Sequence, residues 1–255
     1  MKRDSIILVF FTGIFLLSLP ALSFGQILRI AVAADAQFVA AALKKSFEKT
    51  DRVPIEIIVG SSGKLTAQIE QGAPYDIFMS ADMKYPDALY KEGNTMGSPR
   101  IYAFGKLVLW TIKRNNLNSG IQILNQPFIK TIAIANPVTA PYGRAATEAL
   151  KKRGIFNSVE NKFVYGESIA QVNQYLLSGA ADIAFTGKSV VESPALKNKG
   201  KWIEVPEDLY QPIAQGVVIL KHARSDGLQA ASAFYHFLFS NEGRAIFKSF
   251  GYRIK

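Results

Sequence analysis

The chain has 255 residues, a formal net charge of +10, two histidines and no cysteine. The missing cysteines exclude disulfides, thiolate metal sites and catalytic thiols, and two histidines far apart in sequence do not make a metal-ligand cluster. The basic balance favours anionic partners, but no Arg/Lys cluster with interleaved aromatics points to nucleic acid; Lys151-Lys152-Arg153 and Lys197 to Lys201 read as solvated helix ends and loops.

Met1 to Gly25 has Lys2 and Arg3, an apolar run from Ile6 to Leu19, Pro20 and small residues ending Ser23-Phe24-Gly25. This is the pattern of a cleaved secretory signal peptide: the apolar core is too short to span a bilayer. The mature chain is expected to begin near Gln26, to be soluble and, lacking a lipid-acceptor cysteine, to be free in the periplasm.

From there apolar runs alternate with helical patterns, the signature of an α/β fold. Ile27 to Ala33 reads as a strand, and Val39, Leu43 and Phe47 mark one face of the helix after it. Asp35 lies between them, either as an N-cap stabilised by the helix dipole or as part of an anion-facing turn Ala34-Asp35-Ala36. Val53 to Val59 is the next strand, followed by Gly60-Ser61-Ser62-Gly63-Lys64-Leu65 and a short helix with Leu65 and Ile69 four apart. A helix start leaves about four N–H groups without internal partners and carries roughly half a positive charge, so an anion fits there. Ser61 and Ser62 add hydroxyls beside those donors, or cap the helix. The turn is not a nucleotide-binding loop, because Gly60 and Gly63 are too close and no Ser or Thr follows Lys64.

Asp76 to Ser80 is a strand, and Ser80 and Asp82 are expected to cap the next helix or line a cleft. Leu107 to Ile112 and Gly216 to Leu220 are expected to cross between two lobes, giving residues 26–106 with 216–255 as the first lobe and 107–215 as the second. In the second lobe Thr131 to Ala135 is a strand, and Pro141 starts a helix with Tyr142 at its N-terminus. Ser168 is expected to cap a helix whose apolar face is Ile169, Val172 and Leu176. Ala181 to Gly187 is the following strand, and Phe234, Phe237, Leu238, Ile246 and Phe250 are expected to cover the first lobe's core.

From about Ile27 to Lys255 the chain resembles the periplasmic molybdate-binding proteins of ABC transporters. The resemblance is carried by Ala31 to Asp35, Gly60 to Leu65, Gln68 to Asp82, Ala135-Asn136-Pro137 with Ala140 to Gly143, and Arg244 to Tyr252. It implies a type II periplasmic-binding-protein fold, with two lobes of mixed β-sheet flanked by helices and a hinged ligand cleft between them. It also implies a tetrahedral oxyanion held without a counter-charge by hydroxyls and N–H groups at helix starts. Carried over, Ser62 with Ser61 beside it serves from the first lobe, and Tyr142 with the backbone N–H of Ile169 from the second. A second tyrosine that some members carry is replaced by Phe185.

Asp35 departs from the pattern, since the family commonly has a donor, Ser, Thr or Asn, there and a carboxylate only accepts. A carboxylate about 4 Å from a single negative charge costs on the order of 4 kcal/mol at an effective dielectric of about 20, and a dianion costs more. Three resolutions follow: the side chain turns away and caps the helix, which is the expectation; it is protonated in the closed cleft; or the ligand carries a proton that Asp35 accepts. The resemblance thus implies a non-enzymatic, monomeric binding protein without a cofactor or a directly bound metal ion, delivering molybdate or tungstate to a membrane permease. Phosphate or sulfate is the alternative ligand. A secreted serine hydrolase using Ser61 or Ser62 would depend on His222 or His236 and lacks a Gly-x-Ser-x-Gly elbow.

Overall fold

The computed structural model describes residues 27–113, 116–224 and 227–254, so the expected signal peptide lies outside the described residues. Strand β1 (Leu28–Ala33), almost wholly buried, is followed by α1 (Gln37–Asp51), which buries Val39, Ala40, Leu43 and Phe47. Then come β2 (Ile55–Gly60), α2 (Ser62–Glu70), β3 (Ile77–Ser80), α3 (Lys84–Lys91) and β4 (Arg100–Gly105). The second lobe contains β5 (Leu107–Thr111), β6 (Ile132–Ala135), α4 (Pro141–Lys152), α5 (Phe156–Val159), β7 (Phe163–Gly166), α6 (Ile169–Leu177), β8 (Ile183–Gly187), α7 (Lys188–Val191) and β9 (Lys201–Glu204). The chain returns through β10 (Ile213–Ile219) and closes with α8 (Leu228–Leu238) and α9 (Asn241–Ser249).

The strands form two five-stranded sheets, in the orders β2-β1-β3-β10-β4 and β7-β6-β8-β5-β9. In each, three neighbouring strands run parallel and the fourth is antiparallel to both of its neighbours. These are the mixed sheets of a two-lobed type II binding-protein fold. Parallel strands joined through helices bring their following turns to one edge of the sheet, which is where open α/β sheets hold ligands.

Two expectations about the crossings need correction. Leu107 pairs with Gly187 from the first residue of β5, and β10 lies wholly in the first sheet, so neither strand spans both lobes. The chain crosses at Lys106 and returns between β9 and β10. That return strand begins at Ile213 rather than Gly216: Gln215 interrupts the apolar run in sequence, but the strand passes through it with a register shift at Gln215/Gly216.

One core fills the second lobe and extends to Ala33, Ala34 and Ala81 of the first. In the first lobe Phe47, Phe234, Leu238, Phe247, Phe250 and Tyr252 share a core with β1 and β3, as expected of the C-terminal aromatics. Phe47 meets Phe234 edge-on at 5.2 Å between ring centres. Each such side chain contributes roughly 1.5–3 kcal/mol on burial.

Candidate functional site

Ser61 ends the turn after β2 in an extended conformation, and its Oγ accepts from the Lys64 N–H at 3.3 Å, making Ser61 rather than Ser62 the cap of α2. Ser62 then occupies the first helical position, where Oγ accepts from the Ala81 N–H at 3.0 Å and keeps its own proton to donate. Among the described residues the Ser62 N–H has no protein acceptor, as the first turn of a helix dictates. Ile169 occupies the same first position of α6, and its N–H is likewise without a protein acceptor among the described residues. The Ser168 before it makes no side-chain cap, contrary to expectation; the adjacent Glu167 N–H instead donates to Gln171 Oε1 at 2.7 Å.

Pro141 begins α4, as its fixed φ favours, and places Tyr142 on the inner side, 2% exposed. The Tyr142 hydroxyl accepts from Gln215 Nε2 at 3.2 Å. It fits only because residue 105 is glycine, since a Cβ there would land on the hydroxyl oxygen. Asp35, Ser61, Ser62, Tyr142 and Ile169 all line one tight cavity, with about 10 Å³ open to the centre of a water-sized sphere, together with alanines 33, 34, 81 and 140 and Pro141. No lysine or arginine lines it.

Asp35 is 1% exposed and does not cap a helix, which corrects the expectation. Its Oδ2 accepts from Gln215 Nε2 at 2.5 Å and from the Tyr252 hydroxyl at 3.2 Å, and Tyr142 also bonds the carboxyl group. Gln215 is itself held by the Tyr102 hydroxyl, which donates to Oε1 at 2.5 Å. Burial raises the Asp35 pKa to about 7, against the opposing hydrogen bonds from Gln215, Tyr252 and Tyr142. Burial, and then the neighbouring Asp35, pushes Tyr102, Tyr142 and Tyr252 well above the ordinary tyrosine range, so all three remain neutral donors. Sequence reading missed Gln215, Tyr102 and Tyr252. The only local signal was an amide inside the apolar run Ile213 to Ile219.

Contacts between the lobes surround the cavity. Ser61 Oγ donates to Glu167 Oε1 at 2.6 Å, Gly63 N–H to the Thr139 carbonyl at 2.9 Å, and the Tyr85 hydroxyl to the Val138 carbonyl at 3.0 Å. Asp82 accepts weakly from the Tyr85 N–H at 3.4 Å and pairs with Arg144 across the cleft. Burial raises its carboxyl pKa, with Arg144 opposing. Neither Ser61 nor Ser62 is bonded to a histidine: His222 pairs with Asp76, and His236 bonds Ser232. Among the described residues no three His, Cys, Asp or Glu side chains form a group able to hold a metal ion, and no helix is long and apolar enough to cross a membrane.

A family model described as a bacterial extracellular solute-binding protein matches residues 28–253. The chain belongs to that family. Within this solute-binding family it is 36% identical to the molybdate-binding protein ModA of Azotobacter vinelandii, over 89% of this chain and 90% of that one. It is also 36% identical to the molybdate-binding protein ModA of Rhodobacter capsulatus, over 92% and 91% of the two chains. The solved Azotobacter vinelandii periplasmic molybdate-binding protein superposes with a TM-score of 0.84 at 33% identity, covering 89% of this chain and 99% of its own.

Proposed function

We propose that this protein captures molybdate or tungstate in the periplasm, after cleavage of a signal peptide near residue 25, and hands it as a monomer to an ABC permease in the membrane. The observation that carries the reading is the cavity itself: backbone N–H groups of Ser62 and Ile169 without protein acceptors, beside the hydroxyls of Ser62 and Tyr142, with no cationic side chain in the wall. Such a ring suits an anion whose charge is spread over four oxygens, and in a site closed to water each donor counts for more. The relatives named for molybdate support the choice of anion. Molybdenum would be held only as its oxyanion, as cargo, with no metal–protein bond and no catalysis.

Calorimetric titration of the purified mature chain with molybdate, tungstate, sulfate and phosphate near neutral pH tests this. The expected result is tight binding of the first two and silence from the smaller anions. A second reading rests on one observation, Asp35 among the lining residues with its carboxyl group bonded to Tyr142 of the same lining. Hydrogen phosphate could give its proton to that group, and binding of phosphate alone, weakening as pH rises through its second ionisation, would replace molybdate with phosphate.

A further inference from the structure

Among the described residues, the side chains that hydrogen-bond the Asp35 carboxyl group are all uncharged. From β10 it meets the neutral amide of Gln215, from α4 the Tyr142 hydroxyl, and from the C-terminal segment the Tyr252 hydroxyl. From α7 the Ser189 hydroxyl donates to its main-chain carbonyl at 2.8 Å, and from β4 Tyr102 reaches it only through Gln215. Lys188 of α7 is turned to Glu204, Arg144 of α4 to Asp82, and Glu167, ahead of α6, to Ser61. A dianion entering the cavity that Asp35 lines therefore comes beside a carboxyl group whose hydrogen-bond partners are all neutral.

Resting on the reading above, we propose that Asp35 joins the anion complex as a neutral carboxylic acid, taking up one proton as a dianionic tetrahedral oxyanion binds. As an acid it can donate to the anion where a carboxylate would repel it. Burial and like charge act in the same direction on a carboxyl group. Burial already brings Asp35 to about 7 without a ligand, and the dianion adds to that. The empty protein is then mostly ionised at Asp35 above neutrality, and it must recover a proton before it can hold its cargo. Affinity for a dianion should fall as pH rises, although molybdate itself stays doubly charged across this range.

Calorimetry of molybdate binding from about pH 6 to about pH 8.5, in pairs of buffers with different ionisation enthalpies, counts the protons. The expected uptake rises towards one proton per molybdate at the alkaline end, and Kd weakens by about tenfold per pH unit once Asp35 is mostly ionised. Asp35→Asn should bind with no proton uptake and a flat Kd. Its ligand-free form should also melt higher than the parent at alkaline pH. The sign follows from linkage: a raised folded-state carboxyl pKa gives stability that is complete below the unfolded value and lost as pH rises through about 7. Asn has no such loss, so the difference should shrink towards pH 5. Tyr252→Phe removes one donor to the ionised form and should move the onset of uptake to higher pH, which keeps the test open if the Asn variant does not fold.

Zero proton uptake by the parent at the alkaline end, or an Asn variant that keeps the pH slope, overturns the inference. Molybdate binding without uptake leaves the molybdate reading standing and removes only this one. Silence towards molybdate and tungstate at every pH removes both.

Discussion

Position for position, β2-β1-β3-β10-β4 of the first lobe matches β7-β6-β8-β5-β9 of the second. The third strand of each begins after an aspartate that holds the start of the neighbouring parallel strand. Asp76 accepts from the Arg29 N–H at 2.7 Å, and Asp182 from the Lys130 and Thr131 N–H groups at 2.6 and 3.0 Å. The turns after β2 and β7 both offer a first-turn N–H, that of Ser62 and that of Ile169. What differs is the side chains. The first lobe brings two serines and Asp35 to the lining, whereas the second brings one tyrosine and the aliphatic Ile169. The lesson is that the fold supplies the backbone donors twice over, and the side chains of one lobe then decide which charge the cavity accepts.

The comparison breaks most visibly if one donor is removed from each lobe. Ile169→Pro deletes the N–H at a helix position where proline is tolerated, after a Ser168 already extended at φ −146° and ψ 170°. Ser62→Ala deletes the hydroxyl and keeps the N–H. Each loses one hydrogen bond to a charged group, about 1.5–3 kcal/mol, so molybdate Kd measured by calorimetry should weaken by roughly ten- to a hundred-fold. Equal losses would mean that the lobes share the anion evenly.

The aspartates sharpen it next. Burial would raise the Asp182 pKa, but Lys113 and the two N–H donors outweigh it and hold it below the usual range. Its contribution is therefore present above the unfolded value near 4 and lost as pH falls through the lower folded one. Asp182→Asn should cost about 1–3 kcal/mol at neutral pH. Urea unfolding should show the gap to the parent narrowing below about pH 4.

A smaller effect is expected from Gly63→Ala, since a Cβ there would stand 2.8 Å from the Tyr85 hydroxyl and 3.0 Å from the Thr139 Cα across the cleft. It should weaken affinity several-fold and enlarge the ligand-bound particle in small-angle scattering, because the lobes cannot approach fully. Smallest is Arg144→Ala. The bridge to Asp82 is partly exposed, with side chains 28% and 16% accessible, and such pairs contribute about 1 kcal/mol or less. A loss of no more than about five-fold in affinity is expected, shrinking further at high salt.

The lobes and the anion-facing turns were legible in sequence because they are local. Ser61 and Ser62 announce a helix start within four residues, Pro141 fixes the entry of α4, and Val39, Leu43 and Phe47 show a buried face by spacing alone. The setting of Asp35 was not legible, because its partners Gln215 and Tyr252 lie 180 and 217 positions away. Local propensity saw a cap, and the tertiary fold overrode it with a polar cluster fed from β10 and the C-terminal segment. Ser168 shows the same limit on a smaller scale: its position at the helix start was right, but Gln171 rather than Ser168 supplies the side-chain hydrogen bond there.

The insertion of β10 between β3 and β4 makes the first sheet depend on distant parts of the chain. All strands of the second lobe lie in one continuous stretch of chain, from Leu107 to Glu204. The first lobe closes its sheet only when β10 returns from beyond the second lobe, and Tyr102 of β4 meets Gln215 113 positions later. Pairings so distant in sequence form slowly. The Asp35 cluster, which joins residues 180 and 217 positions apart, therefore exists only in a molecule whose first sheet has closed.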